Sequence, residues 1–233
     1  MSMLYLHETI DIVGDGQDAY LETVARRATH SEKEGISRLV GCWRVVGSTN
    51  RWPRVVNLWE MDSWAHWGRT LERQFLPERR DPSLAPWWAQ AAQWRSGGFD
   101  RILEPVPRCP TRAELVAAGI SAWVCEQTIL RARPGAADEL LNSAMANVAP
   151  ALNRRAIRLF GAYTVPMRSD ELLLLWAAPT FADLCGWYDD RRGETAWGRW
   201  QSSVATHALA ADTCWLVPGA SNFFHPSQAA AGG

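Results

Sequence analysis

The sequence predicts an α+β fold in which two tandem βαββαβ units pack sheet to sheet around one shared core. Three observations predict it. A single strand–helix–strand–strand–helix–strand pattern is written twice along the 233 residues. Its helical stretches repeat apolar residues with the 3.6-residue period, whereas its strand-like runs are short and rich in Val, Leu, Ile and Trp. Between the copies, Glu104-Pro105-Val106-Pro107-Arg108-Cys109-Pro110 cannot extend a ladder and reads as the join.

The first strands are carried by His7-Glu8-Thr9-Ile10 and Glu126-Gln127-Thr128-Ile129, each followed by a glycine (Gly16, Gly135) and an amphipathic helix. Tyr20, Leu21, Val24, Ala25 and Ala28 share a face of one helix; Leu140, Leu141, Ala144, Met145, Val148 and Leu152 share a face of the other. Leu39-Val40-Gly41-Cys42-Trp43 and Leu159-Phe160-Gly161-Ala162-Tyr163 match as second strands, each with a central glycine and an aromatic two residues on. Val55-Val56-Asn57-Leu58-Trp59 and Leu172-Leu173-Leu174-Leu175-Trp176 match as third strands. Ser63 and Thr180 suit the N-caps of the second helices, where Trp64, Trp67 and Leu71 match Phe181, Leu184 and Tyr188. Further helical stretches hold Trp87, Trp88 and Trp94 in one half, and Trp197, Trp200 and Val204 in the other. Residues 99–104 and 212–217 close the copies as fourth strands, and Thr111 to Glu114 is a capping-box pattern for a short helix. The expected division is a first repeat at 1–106, a linker with a short helix at 107–119, a second repeat at 120–218, and a loose tail at 219–233 in which Phe223-Phe224 is the segment able to dock.

A chain with 47% hydrophobic and 21% charged residues has ordinary globular composition, which excludes disorder as its main state. A formal net charge of −1 provides no basic face for nucleic acid. No apolar run reaches the roughly 20 residues that span a bilayer, and the first residues lack the basic and apolar regions of a signal peptide, so a cytoplasmic protein is expected. Cys42, Cys109, Cys125, Cys185 and Cys214 are odd in number and lack zinc-site spacing; they read as reduced structural thiols. With no nucleotide-binding glycine loop and no metal cluster, no cofactor is expected. The 14 tryptophans are unusually many, and their positions are the strongest functional clue.

These features resemble the NIPSNAP-type branch of the dimeric α/β-barrel superfamily. The resemblance is carried by Glu126 before Thr128, the Arg133-Pro134-Gly135 turn, the Leu39-Val40-Gly41-Cys42-Trp43 strand, and Asn57-Leu58-Trp59-Glu60-Met61-Asp62. Met61 stands where the family usually has an aromatic residue, and Thr9 and Thr128 stand where its first strand carries an arginine. The resemblance spans nearly the whole chain and implies two ferredoxin-like units forming the barrel within one molecule; separately, exposed helices or Trp side chains of this sequence could support a homodimer. It does not select a chemistry, because the superfamily includes monooxygenases, haem enzymes, dehydratases and cyclases. In haem-binding relatives a helix histidine is the axial ligand, which makes His66 and His207 the candidates here.

Strand alternation assigns faces. Leu4, Leu6, Ile10 and Ile12 fall together with Glu8 toward the helices, while Tyr5, His7, Thr9 and Asp11 fall toward the barrel interior. A carboxylate on the helix side is an anomaly, to be resolved by a helix arginine such as Arg26 or Arg27, or by a face assignment off by one residue. In the second copy Val124, Glu126, Thr128 and Leu130 are assigned inward, making His7 and Glu126 equivalent. Asn57 with Trp59, Trp176, Trp43 and Tyr163 are assigned inward as well. The expected site is therefore an aromatic barrel cavity with His7 and Glu126 as general base and acid, and with Tyr5, Trp43, Asn57, Trp59, Tyr163 and Trp176 holding a hydrophobic or aromatic small molecule. Isomerisation, cyclisation or elimination without metal or nucleotide fits this equipment. The alternatives are a binding protein with no chemistry, a cofactor-free monooxygenase, and a haem protein.

Overall fold

The computed structural model describes residues 3–190 and 195–229. The first repeat contributes β1 (Leu4–Ile12), α1 (Gln17–Lys33), β2 (Arg38–Val45), β3 (Arg54–Met61), α2 (Trp64–Phe75), α3 (Leu84–Ala91) and β4 (Arg95–Pro105). After the short helix α4 (Arg112–Ala117), the second contributes β5 (Val124–Ala132), α5 (Ala137–Ser143), α6 (Ala149–Asn153), β6 (Arg158–Thr164), β7 (Glu171–Ala178), α7 (Phe181–Asp189), α8 (Ala196–His207) and β8 (Ala208–Pro218). The strands form one closed barrel in the order β1-β3-β2-β8-β5-β7-β6-β4. Two seams join the repeats: β2 pairs with β8 from Trp43↔Pro218 to Val45↔Leu216, and β4 pairs with β6 at Glu104↔Thr164 and Pro105↔Tyr163. Closure leaves neither half-sheet with a free edge. The fourth strands begin earlier than expected, and α3 ends at Ala91, so Trp94 lies in a turn rather than on a helix.

Alternation then gives each strand two destinations. Inward residues from all eight strands, including Tyr5, Trp43, Leu58, Leu103, Cys125, Phe160, Tyr163, Leu175 and Leu216, form the barrel core. Outward residues pack beneath the helices: Ile10, Trp59 and Val55 under α1 and α3, and Leu174, Trp176 and Leu130 under α5 to α8. The repeated glycine-then-aromatic motif has a steric cause. Each glycine lies at a register shift, between Leu39 and Gly41 in one repeat and between Leu159 and Gly161 in the other. At each, the aromatic two residues on folds back over the glycine. A Cβ on Gly41 would stand 2.2 Å from the Trp43 ring, and one on Gly161 would stand 2.6 Å from the Tyr163 ring.

The helix expected around Leu140 to Leu152 is interrupted by a π turn over Ala144–Val148, where the Ala149 N–H donates to the Ala144 carbonyl. Pro150 lacks an N–H and crowds the preceding turn, which accounts for the widened helix. The Phe223-Phe224 segment of the tail docks on the body. Phe224 is fully buried at one end of the barrel, 4.7 Å from Phe160 and 5.8 Å from Trp43 between ring centroids. Its carbonyl accepts from the Ala122 N–H at 2.8 Å, and the Asn222 amide donates to the Cys42 carbonyl at 2.9 Å. The five cysteines are free thiols. Among the described residues no helix is long and apolar enough to cross a membrane.

Candidate functional site

In the first repeat the helices do not seal onto the sheet. A cavity of about 400 Å3 remains between the outer face of β1, β3 and β4 and the helices α1, α2 and α3. Trp59, Trp67, Trp87 and Trp88 line it, with Leu71 and Phe75 from α2. Ser63 fixes the start of α2 by accepting from the His66 N–H, which orients Trp67, Thr70 and Leu71 toward the sheet. Trp87 and Trp88 meet edge to face at 4.7 Å, and the Arg27 and Arg95 guanidiniums lie over them at 5.8 and 4.7 Å. The Trp87 indole N–H is buried with no partner among the described residues.

Two carboxylates stand on the sheet wall of this cavity. Glu8 on β1 and Asp100 on β4 are directly opposed across the antiparallel ladder, and both line the pocket. Opposed side chains lie about 5 Å apart at Cβ, so two negative charges there repel. Glu8 accepts from the Trp59 indole at 2.7 Å and from the Asn57 amide at 3.1 Å. Burial raises the Glu8 carboxyl above its ordinary range, the Asp100 charge adds to the rise, and the two hydrogen bonds oppose it. Asp100 is the more exposed of the two; the partial burial of its carboxyl also raises it, with Arg95 opposing. Like charges opposed in this way favour a proton on one of the two, here on the more buried Glu8. The expected salt bridge from Arg26 or Arg27 to Glu8 is not formed. Arg27 reaches Ser83 and Asp81 instead, and Arg26 turns back to Thr23.

The second repeat fills the equivalent space. Thr70 and Leu71 stand seven and eight residues after the Ser63 cap; Trp187 and Tyr188 stand at the same steps after the Thr180 cap. Trp187 is fully buried against Trp176 at 5.4 Å and Trp197 at 4.1 Å, and the Tyr188 hydroxyl donates to Glu126 at 2.6 Å. Among the described residues, the space between sheet and helices that is open in the first repeat is thus occupied by side chains in the second.

The structure separates the two residues expected to act together. His7 is fully buried inside the barrel, where its Nε2 meets the Gln127 Oε1 at 2.6 Å. Burial lowers its pKa to about 4, so the ring is neutral, Nε2 donates, and Nδ1 is left without a partner. Glu126 lies on the opposite, helix-facing side of the sheet, bonded to Tyr188, Trp215 and Thr128, and burial pushes it up to about 7. The inward assignment of Glu126 thus fails. Pairing explains why: Glu126 opposes Trp176 as Leu6 opposes Trp59, so Gln127 rather than Glu126 is the partner position of His7. Asn57, Trp59 and Trp176 also face the helices rather than the interior. Tyr5, Trp43 and Tyr163 do face inward, but into packed core: Tyr5 and Tyr163 lie 5.0 Å apart and Trp43 abuts Phe160 and Phe224. Tyr5 donates to Glu60 at 2.9 Å. Of the expected site residues, only Trp59 and Asn57 come to the open pocket region, Trp59 in its lining and Asn57 through its bond to Glu8. The missed residues had a signal. A glutamate on an otherwise aliphatic strand face demands a partner or a cavity.

The haem ligand candidates do not fit. His66 accepts the Asp62 backbone N–H on Nδ1 at 3.3 Å, His207 pairs with Glu139 at 3.3 Å, and neither lines the open pocket. Among the described residues no cluster of His, Cys, Asp and Glu could hold a metal ion.

No family model and no curated protein matches the sequence. Solved structures do. An anthrone oxidase-like protein aligns over 94% of this chain and 92% of its own, with a TM-score of 0.65 and 8% identity. A putative monooxygenase from Lactobacillus acidophilus NCFM aligns over 94% of this chain and 95% of its own, with a TM-score of 0.62 and 9% identity. A NIPSNAP domain protein from Burkholderia xenovorans covers 42% of this chain and 95% of its own, at 16% identity and a TM-score of 0.36. The protein has the dimeric α/β-barrel fold, built from two ferredoxin-like units in one chain.

Proposed function

We propose that this chain is a NIPSNAP-like enzyme that takes a hydrophobic, aromatic small molecule into the first-repeat pocket and acts on it by proton transfer through Glu8 and Asp100. One observation carries the reading: two opposed carboxylates share the wall of a tryptophan-lined cavity that the second repeat has filled. The protonated member of the pair serves as general acid and the ionised member as general base, with raised pKa values bringing both roles nearer neutrality. Trp59 and Asn57 hold the Glu8 carboxyl in place, and the indole faces supply area and stacking for the substrate. Isomerisation, cyclisation or elimination is the reaction type that uses such a pair.

A second reading keeps the pocket and changes the reaction to oxygen-dependent oxidation of an electron-rich aromatic; the names of the oxidase-like and monooxygenase neighbours favour it. The test is a panel of aromatic metabolites followed by intrinsic tryptophan fluorescence, with product analysis and an oxygen electrode. Turnover that falls at least about a hundredfold in Glu8→Gln and survives in Glu126→Gln supports the reading. Oxygen uptake that tracks product selects the oxidation. Turnover unchanged in Glu8→Gln but abolished by His7→Ala would return the site to the barrel interior, and binding without turnover would leave a carrier.

A further inference from the structure

A second cavity, of about 300 Å3, opens inside one mouth of the barrel, across the sheet from the Glu8 pocket. Its lining is polar. Thr9, Asp11, Arg54, Arg101, Gln127 and Asp212 contribute to it. The charges are paired but unequal. Asp11 takes Arg54 at 3.0 Å and Arg51 at 3.3 Å, Glu171 takes Arg101 and Arg168 at 2.9 Å each, and Asp212 accepts from the neutral Asn50 amide. Of the lining residues, three guanidiniums (Arg51, Arg54 and Arg101) stand with two carboxylates (Asp11 and Asp212), and outside the lining Glu171 is shared by Arg101 and Arg168, so one positive charge is in excess. Arg54 and Arg101 both bond their carboxylates through Nε; among the described residues their terminal amino groups make no further hydrogen bond, and the Arg101 guanidinium lies over the Phe99 ring at 4.4 Å. Thr9 is more than nine-tenths buried, and its hydroxyl has no partner among the described residues. Gln127 ties this lining to His7, the next residue inward on the same face of β1.

We propose that the barrel mouth is a second binding site, for a small carboxylate or oxyanion of single negative charge, held by the terminal amino groups of Arg54 and Arg101 and by the Thr9 hydroxyl. A guanidinium has five donors, so it can retain its carboxylate through Nε and grip a second anion through the outer fork. The cavity lies at the small end of the range for small-molecule sites, which suits an acid of a few carbons. The site is independent of the Glu8 pocket, although Arg101 borders both cavities.

The experiment is an amide and side-chain NMR titration of the full chain with sodium acetate, inorganic phosphate and ethylammonium chloride at matched ionic strength. Saturable shifts at Thr9, Arg54 and Gln127 with acetate or phosphate are expected. Thr9→Val, which keeps the shape, and Arg54→Gln should each weaken that binding at least tenfold, whereas Glu8→Gln should leave it unchanged. Acetate preferred over phosphate identifies a carboxylate ligand, and the reverse identifies an inorganic oxyanion. Absence of saturable shifts with either anion, preference for ethylammonium, or unchanged affinity in both mouth variants would overturn the proposal.

Discussion

Phe224→Ala should destabilise the protein as severely as a change at the centre of its core, although the residue lies in the C-terminal tail. Its side chain is fully buried and packs on Trp43, Phe160 and Phe223, the last at 4.3 Å. Removing a buried phenyl ring costs about 3–5 kcal/mol, and more of that range is lost where the surroundings cannot collapse. Collapse is restricted here because Trp43 and Phe160 sit on strands held by ladders on both sides of the barrel wall. At about 2–4 °C per kcal/mol for a chain of this size, the melting temperature should fall by about 10 °C. Urea unfolding of the parent, Phe224→Ala and Phe224→Leu measures it directly, with the leucine variant recovering more than half of the loss. A cost below about 1 kcal/mol for Phe224→Ala would show that the tail is an accessory rather than a barrel plug.

Other expectations follow from the same packing and electrostatics. Gly161→Ala sets a Cβ against the Tyr163 ring and should cost about 1–3 kcal/mol by urea unfolding, as overpacking does. Glu126 is held protonated more strongly in the folded than in the unfolded chain, so between pH about 4.5 and about 7 it makes stability fall as pH rises. The stability of Glu126→Gln relative to the parent should therefore grow across that window, by up to about 3 kcal/mol, and a pH-independent difference would contradict the assignment. Thr70→Trp places in α2 the residue that α7 carries at the matching step, and should abolish ligand quenching of tryptophan fluorescence without altering the far-UV spectrum.

Much of the fold was legible because its determinants are local. The duplicated glycine-aromatic strands, the Ser63 and Thr180 caps and the period of the helices are all short-range patterns, and each corresponds to a physical contact. The site was less legible, for two reasons. Matching His7-Glu8-Thr9-Ile10 with Glu126-Gln127-Thr128-Ile129 aligns letters rather than ladders, and a one-residue slip turns every side chain to the other face. The bulges after Asp11 and Arg131 show the true correspondence, and bulges are invisible to periodicity. The pairing of Glu8 with Asp100 is also long-range; nothing near either residue announces the other. Glu8 itself was visible as an anomaly on an aliphatic face, and that anomaly marked the pocket.

The most direct measurement is a carboxyl 13C NMR titration of Glu8 in the parent and in Asp100→Asn. Glu8 should titrate above the roughly 4.3 of a free glutamate, and removal of the opposing charge in Asp100→Asn should lower its midpoint. An ordinary midpoint, unmoved by Asp100→Asn, would show that the two carboxylates are independent surface groups and that the pocket holds no acid–base pair.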